Sequence, residues 1–363
     1  MTEPGRIRRG GAGTRRTAAI AVFLAMAAAA HAAPVMTEYE PTTRTVPLAE
    51  VYARPTAYET RPWGTAAFMA LPSAPFPDDS RTTGFTRRGA TMPYAGHYDD
   101  PTVAVLLPRR FRPSARVDVV LHFHGHGTSA RKAVADFALG EALDASGRDA
   151  IMIVPQGPKD AGDSGAGKLE RPGGFAAMVA DALARLAADG RLPAGAAPGT
   201  VILGGHSGGY RPVGKVLAAG DLAANIKEIW LWDAAYGLWE DYAMFAEGGQ
   251  PRRVRSIFTD HLRTENIRIM SLMSLAGQPF ALVYEDDITT DAPALSQSGA
   301  SILRPDPDGG PAAKPSLDAL LRRHPNLFVH TRLSHYDVVA RNRYLERFLR
   351  ESPNLRPVPP AGR

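Results

Sequence analysis

Residues 200–210 read TVILGGHSGGY, and this stretch decides the prediction of the fold. The apolar run Thr200–Gly204 has the length of a buried strand, and the residues from Tyr210 onward have a helical period. Between them lies Gly205-His206-Ser207-Gly208-Gly209. A very tight strand-to-helix turn needs neighbours without a Cβ atom, and it leaves the serine hydroxyl exposed beside a helix N-terminus. The stretch therefore predicts a strand–turn–helix unit with Ser207 at its tip, and a plain glycine-rich turn is the alternative.

Similar units lie on both sides of this stretch. From about residue 101, short apolar runs alternate with Ala-rich stretches of helical period, which is typical of βαβ units and a mostly parallel, doubly wound α/β sheet. The predicted strands are Thr102–Pro108, Val117–Phe123, Ala150–Pro155, Thr200–Gly204, Ile226–Trp232, Val254–Thr259 and Leu327–Leu333, with an extra one at Phe280–Tyr284. The predicted helices cover about residues 129–145, 174–189, 208–219, 264–276 and 336–350.

Composition excludes several classes of protein. The chain has 363 residues, of which 44% are apolar and 22% charged, so it is able to bury a sizeable core. It has no cysteine, which excludes a disulfide scaffold, a cysteine nucleophile and a cysteine-ligated metal. The net charge is +5, but residues 1–32 hold five Arg and one Glu, and without them 37 Lys and Arg stand against 36 Asp and Glu. We therefore expect no nucleic-acid partner.

The N-terminus has the pattern of an export signal. Arg-rich residues 1–16 precede the 13-residue apolar run Ala18–Ala30, and Ala30-His31-Ala32 has the small-x-small pattern of a cleavage site. Thirteen apolar residues are few for a bilayer span, so we expect a cleaved signal peptide (1–32) rather than an uncleaved anchor, and no stable membrane span. The mature protein is then periplasmic or secreted. Arg15-Arg16 leaves both Sec and twin-arginine export open.

The rest of the chain divides into three parts. Residues 33–100 are rich in Pro, Thr and Arg, and we expect an irregular N-terminal extension with short strands, packed on the main domain. The main domain covers 101–352 and includes a turn-rich excursion at 286–316. Residues 353–363, PNLRPVPPAGR, are expected to be a flexible tail.

Two further segments extend the pattern around Ser207. The predicted strand Val117–Phe123 runs into His124-Gly125-His126-Gly127, and the last predicted strand is followed by Ser334-His335-Tyr336-Asp337. With the G-x-S-x-G of residues 205–209, the chain resembles the α/β-hydrolase family over roughly residues 100–350. The resemblance implies a sheet of α/β-hydrolase type and hydrolytic acyl transfer by a serine, without a cofactor.

The resemblance also implies roles for single residues. Ser207 would be the nucleophile and His335 the general base and then acid, while the backbone N–H groups of His126 and Gly208 would form the oxyanion hole. His330 lies within the predicted strand, where we expect a packed or solvated histidine.

A metal site is the alternative interpretation of His122, His124 and His126, which alternate as ligands do. No acidic residue follows them at the spacing of a metal site, so we expect no metal. The side chain of His126 is then an ordinary loop histidine.

An acid should orient His335, and two aspartates end neighbouring predicted strands. Asp233 follows a strongly apolar run, where a buried carboxylate needs a partner. Asp260 lies beside Arg255, His261 and Arg263, where an exposed ion pair is easy to form. The resemblance allows either position, and we favour Asp233 over Asp260, with Glu285 or Asp286 as further alternatives.

The expected activity is cleavage of a small-molecule or polymeric carboxylic ester. Tyr210, Tyr236 and Trp239 are the candidates to line the substrate pocket, with core packing as the alternative for such aromatic residues. A peptidase or amidase would use the same residues on peptides or cell-wall amides. A catalytically inactive binding protein on this fold is a third hypothesis. Against it stands the presence, in the expected chain order, of the oxyanion turn, the serine, the acid and the histidine.

Overall fold

A ten-stranded sheet organises the computed structural model, which describes residues 47–247, 252–289 and 314–358. The strands are β1 (Ala57–Arg61), β2 (Gly64–Ala70), β3 (Phe85–Arg87), β4 (Ala90–Met92), β5 (Thr102–Pro108), β6 (Arg116–Phe123), β7 (Ala150–Pro155), β8 (Ala197–His206), β9 (Ile226–Trp232), β10 (Arg253–Phe258), β11 (Ala281–Tyr284) and β12 (Leu327–His330). The order in the sheet is β1-β2-β5-β7-β6-β8-β9-β10-β12-β11, and β3 pairs with β4 separately.

Seven neighbouring strands of this sheet, from β7 to β11 in its order, pair in parallel. The other three pairings, β1 with β2, β2 with β5 and β5 with β7, are antiparallel. The predicted α/β architecture with a mostly parallel sheet is confirmed. The strands could be recognised because a sheet covered on both faces needs nearly continuous apolar runs, and all six residues of β7 are buried.

Helices cover both faces of the sheet. They are α1 (Leu48–Tyr52), α2 (Ala130–Asp136), α3 (Leu139–Ala145), α4 (Gly174–Ala188), α5 (Tyr210–Ala219), α6 (Trp239–Glu247), α7 (Arg263–Leu275), α8 (Leu317–Arg323) and α9 (Tyr344–Arg350). One apolar cluster joins the sheet to α4, α5, α6 and α7, and a second joins it to α2, α3, α8 and α9. Val119 and Leu121 of β6 belong to the first cluster, whereas Val120 belongs to the second.

The short strands expected in the irregular extension include the hairpin β1–β2, which lies at one edge of the sheet. The sequence does not mark β1 as a strand because an edge strand needs no apolar run, and no residue of Ala57–Arg61 is fully buried. Residues 33–46 of that stretch lie outside the described part of the chain, as does the expected signal peptide. No helix in the described ranges is both long and apolar enough to cross a bilayer.

Several predicted boundaries differ from the structure. The helix expected at 129–145 is broken into α2 and α3, because Ala138 has a left-handed φ of 48°. The helix expected at 336–350 begins only at Tyr344, since Asn342 and Arg343 also have positive φ. The last strand ends at His330 rather than Leu333. Most of the expected excursion, residues 290–313, lies outside the described residues.

The chain after α9 returns to the amino-terminal edge of the sheet. In the expected flexible tail, Arg356 accepts a hydrogen bond from Asp149 N at 2.8 Å and pairs with Asp118 at 3.0 Å. Asn354 of the same segment donates to Glu228 at 3.0 Å, and Glu228 forms a fully buried ion pair with Arg255 at 3.4 Å. Burying two charges is costly unless their remaining hydrogen-bonding groups are satisfied. Here Arg255 also donates to the Phe348 carbonyl at 3.0 Å, but its Nε is buried without a partner among the described residues.

Candidate active site

The residues expected to carry chemistry gather at one edge of the sheet. Strands β6, β8, β9, β10 and β12 run parallel, so their carboxyl ends meet there. This edge is where open α/β sheets generally bind ligands. The histidine-rich turn, Ser207, Asp233, the turn around Asp260 and the segment with His335 follow these five strands in that order.

Ser207 is held on a strained turn between β8 and α5. Its φ is +53°, which residues other than Gly, Asn and Asp rarely adopt, while the preceding His206 is still extended. A Cβ atom at Gly209 would lie 2.3 Å from the Phe123 carbonyl oxygen, and one at Gly205 would lie 2.5 Å from the Gly209 carbonyl oxygen. The two glycines therefore permit the tight turn that the sequence predicts, and the turn presents Ser207 at the sheet edge.

Asp233 and His335 are in direct contact. His335 Nδ1 lies 2.7 Å from Asp233 Oδ2, and Asp233 is fully buried. The carboxylate also accepts hydrogen bonds from Thr259 N at 2.9 Å and from Thr259 Oγ1 at 3.0 Å. Burial opposes ionisation, but the hydrogen bonds from His335 and Thr259 outweigh it and hold the pKa of Asp233 below its usual range. A buried anion thus faces the Nδ1 side of His335.

The alternative acids lie elsewhere. Asp260 pairs with His330 at 2.9 Å and with Arg263 at 2.8 Å, and its side chain is 74% exposed. His330 itself is buried, in keeping with its place at the end of β12. Glu285 accepts hydrogen bonds from Thr331, Asn342 and Tyr344, and Asp286 pairs with Arg332. Of the four candidate carboxylates, the structure brings only Asp233 to His335.

A second histidine fixes the backbone of His335. His206 Nε2 donates to the His335 carbonyl oxygen at 2.9 Å, and the two rings are 4.8 Å apart. Burial lowers the pKa of His206 to about 4, so the ring is neutral and its single proton is on Nε2. This role was not predicted. The only signal for it is the position of His206 beside Ser207 in the motif.

Ser207 and His335 are not hydrogen-bonded to each other among the contacts of the described residues. Hydrogen bonds of this kind are often long without substrate and tighten only in the complex, so a missing bond does not exclude His335 as the base for Ser207. The turn after β6 closes the other side of Ser207, since a Cβ atom at Gly125 would lie 2.7 Å from Ser207 Cβ.

The two expected oxyanion donors are neighbours. A Cβ atom at Gly208 would lie 2.6 Å from His126 Cδ2, so the two residues are packed against each other. Their backbone N–H groups donate no hydrogen bond to any other described residue. The side chain of His126 bonds to Ser164 Oγ at 2.7 Å, and burial lowers its pKa. An oxyanion hole requires N–H donors that are free to bind the oxygen, and these two groups meet that condition.

Of the expected pocket residues, Tyr236 is nearest to His335. Its ring lies 6.5 Å from the His335 ring and 5.8 Å from that of Tyr210, and the residue is 41% exposed. Trp239 packs against the apolar core, its Nε1 donates to the Ala235 carbonyl at 2.6 Å, and Arg268 lies over its ring.

His261 also belongs to this site, although the sequence indicated it only as a neighbour of Asp260. Its Nε2 lies 2.8 Å from the Tyr236 hydroxyl and its Nδ1 2.6 Å from Thr259 Oγ1. The available signal was its place two residues after Thr259, just past β10, where the strand ends of the site meet.

His261, His335 and Asp233 offer ligand atoms that all lie within 4.8 Å of one another, and in the described ranges no other such group could hold a metal. Two ligands of a tetrahedral zinc would lie about 3.3 Å apart. The 2.7 Å between His335 and Asp233 fits a hydrogen bond instead. His122 at the end of β6 and His124 and His126 after it do not form such a group, and His124 Nε2 accepts from Gly157 N at 3.0 Å, a structural contact.

No protein-family model matches the chain, and no curated protein matches it. Similar solved structures include a mutant of the feruloyl esterase module from Clostridium thermocellum in complex with sinapinate, at 11% identity over 85% of this chain and 93% of that chain (TM-score 0.38). A cold-adapted esterase from an Arctic intertidal metagenomic library has 15% identity over 81% and 97% (TM-score 0.34). The fluorophosphonate-binding serine hydrolase F of Staphylococcus aureus has 12% identity over 62% and 89% (TM-score 0.35). Likenesses at this level carry no argument about the activity of this chain.

Proposed function

We propose that the chain is a serine hydrolase of α/β-hydrolase type that cleaves a carboxylic ester through an acyl-enzyme. The observation that carries the proposal is the 2.7 Å contact between His335 Nδ1 and the buried Asp233, at the same sheet edge as the strained Ser207. The chain order of serine, aspartate and histidine is that of α/β-hydrolases.

In this mechanism Ser207 Oγ attacks the ester carbonyl carbon and its proton passes to His335 Nε2. Asp233 keeps the proton of the neutral ring on Nδ1, so that Nε2 is free to accept, and it stabilises the imidazolium that forms. The N–H groups of His126 and Gly208 stabilise the oxyanion. His335 then protonates the leaving alcohol, and water hydrolyses the acyl-enzyme by the same steps.

The test is hydrolysis of p-nitrophenyl esters and of peptide anilides by the purified protein. We expect turnover of esters, and a drop of roughly five to six orders of magnitude in Ser207→Ala. Ser271→Ala on an exposed face of α7 is the matched control and should leave the rate unchanged. Activity retained in Ser207→Ala would contradict the proposal, whereas a preference for anilides would make the enzyme an amidase that uses the same residues.

We also propose export to the periplasm or the medium. The support is the sequence pattern of residues 1–32, which lie outside the described residues. N-terminal sequencing of the protein from its native host should begin near Ala33. An intact Met1 or Thr2 in a cytosolic fraction would contradict export.

A further inference from the structure

The turn after β6, which carries one of the expected oxyanion donors, is hydrogen-bonded to the loop after β7. Gly127 N donates to the Ala161 carbonyl oxygen at 3.0 Å. Asp160 N donates to the Thr128 carbonyl oxygen at 2.9 Å. Since backbone hydrogen bonds run in both directions between the two segments, the position of the turn depends on that of the loop.

The side chains of His126 and Ser164 join the same two segments beside Gly208. His126 Nε2 lies 2.7 Å from Ser164 Oγ. A Cβ atom at Gly208 would lie 2.8 Å from His126 Nε2 and 3.1 Å from Ser164 Oγ. A hydroxyl group both donates and accepts, so the bond forms with either tautomer of the ring. The hydrogen-bonded pair therefore packs against the residue whose N–H is the second expected oxyanion donor.

Ser164 is held in place by its neighbour Asp163. This buried carboxylate accepts hydrogen bonds from Arg81 Nε at 2.7 Å, from the Tyr98 hydroxyl at 3.2 Å and from Gly165 N at 2.9 Å. Moving a buried carboxylate away from its donors is costly, so the loop is fixed at this point. Arg81 and Tyr98 belong to the expected N-terminal extension, which thus supports the loop that carries Ser164.

We propose that Ser164 is a positioning residue that acts through the side chain of His126; the inference rests on the proposed function. The bond from Ser164 fixes the imidazole ring, and the ring, packed against Gly208, keeps the backbone N–H groups of His126 and Gly208 side by side. Donors that already point at the developing oxyanion lower the barrier, because no reorientation is needed during the reaction. Ser164 takes no part in bond making or proton transfer.

The first experiment compares Ser164→Ala with Ser129→Ala as the matched control. Ser129 lies just past the turn and caps α2, where its Oγ accepts from Lys132 N at 3.2 Å, and both serines are partly buried. With p-nitrophenyl acetate we expect kcat of Ser164→Ala to fall about tenfold or more at a nearly unchanged KM, since loss of a whole oxyanion donor costs about 10²–10³. Ser129→Ala should lower the thermal unfolding midpoint but keep the rate.

A methyl trifluoromethyl ketone gives a readout that a general loss of stability does not move. Ser207 adds to its carbonyl carbon, and the adduct has an oxyanion at the position that the two N–H groups would bind, as in the transition state. The inhibition constant should rise in Ser164→Ala by the same factor by which kcat/KM falls. In Ser129→Ala it should stay unchanged.

The second experiment asks whether Ser164 acts through His126. His126→Ala removes the imidazole ring but keeps the backbone N–H, and we expect it to lose at least as much rate as Ser164→Ala. Adding Ser164→Ala to this variant should cost nothing further, because the bond between the two side chains is already absent. Thermal unfolding shows whether each variant is folded, and if Ser164→Ala is not, His126→Ala is compared with Ser129→Ala in its place.

The positioning role is overturned if Ser164→Ala equals Ser129→Ala in rate and inhibition, or if its inhibition constant does not follow kcat/KM. It is also overturned if the double variant loses the product of the two single losses, because the residues would then act independently. Ester hydrolysis at full rate in Ser207→Ala would overturn the proposed function itself, and this outcome is distinct from failure of the positioning role.

Discussion

Replacing Asp233 by Asn tests the contact on which the proposed mechanism depends. Oδ1 of the carboxylate accepts from the backbone N–H of Thr259 at 2.9 Å, and Oδ2 accepts from Thr259 Oγ1 and from His335 Nδ1. In Asn, one of these positions becomes an NH₂ group. If that group faced the Thr259 N–H, two buried donors would oppose each other, at a cost of about 1–3 kcal/mol. The amide therefore turns its NH₂ toward His335.

A donor at that position reverses the tautomer of His335. Nδ1 must then accept, the proton of the neutral ring moves to Nε2, and His335 is no longer able to take the proton of Ser207. We expect kcat to fall by about 10⁴-fold, or about 5.5 kcal/mol in the barrier at 1.36 kcal/mol for each factor of ten. KM should change little, because Asp233 is fully buried and does not reach the substrate.

Steady-state ester hydrolysis by Asp233→Asn and Asp260→Asn gives the comparison. Asp260 is 74% exposed and pairs with His330 and Arg263, so its variant should lose less than about tenfold, the effect of a surface ion pair. An Asp233→Asn enzyme within tenfold of the unaltered protein, or a larger loss in Asp260→Asn, would show that Asp233 does not orient His335.

The remaining predictions concern stability. Gly209→Ala should unfold more easily by about 1–3 kcal/mol because its Cβ meets backbone, while Gly162→Ala, with 3.9 Å of space, should change thermal stability by less than about 0.5 kcal/mol. Arg255→Met leaves Glu228 charged and buried, and urea unfolding should show a loss of about 3–5 kcal/mol that Glu228→Gln partly restores. The folded-state pKa of Asp233 lies below its ordinary 3.8, so its contribution is present above that value and is lost as the pH falls through the folded-state pKa. Urea unfolding from about pH 5 to pH 3 should therefore decline less steeply in Asp233→Asn than in the unaltered protein.

The strands of the parallel sheet could be predicted because burial on both faces leaves an apolar run in the sequence. For the hairpin β1–β2 the sequence predicts short strands but not their positions, since the outer strand lies at an exposed edge. Helix breaks at Ala138 and Asn342 were also missed, because a left-handed φ at a residue other than glycine is set by tertiary packing.

Residues of the candidate site could be predicted where they come directly after a predicted strand in the sequence. Ser207 and Asp233 are of this kind, since the glycines of the turn and the apolar approach to the carboxylate have local causes. The choice between Asp233 and Asp260 needed the structure, because the position of His335 depends on its hydrogen bond to His206. His261 was missed for the same reason, as its contacts cross between segments distant in sequence.

The proposed mechanism is tested most directly by trapping its covalent acyl-enzyme intermediate. A slowly deacylating ester is mixed with the protein, the reaction is quenched with acid, and the labelled peptide is identified by mass spectrometry. The proposed mechanism requires one acyl group per chain on Ser207, formed at a rate that falls in Asp233→Asn. An adduct on another residue, or full turnover without any adduct on Ser207, would contradict it.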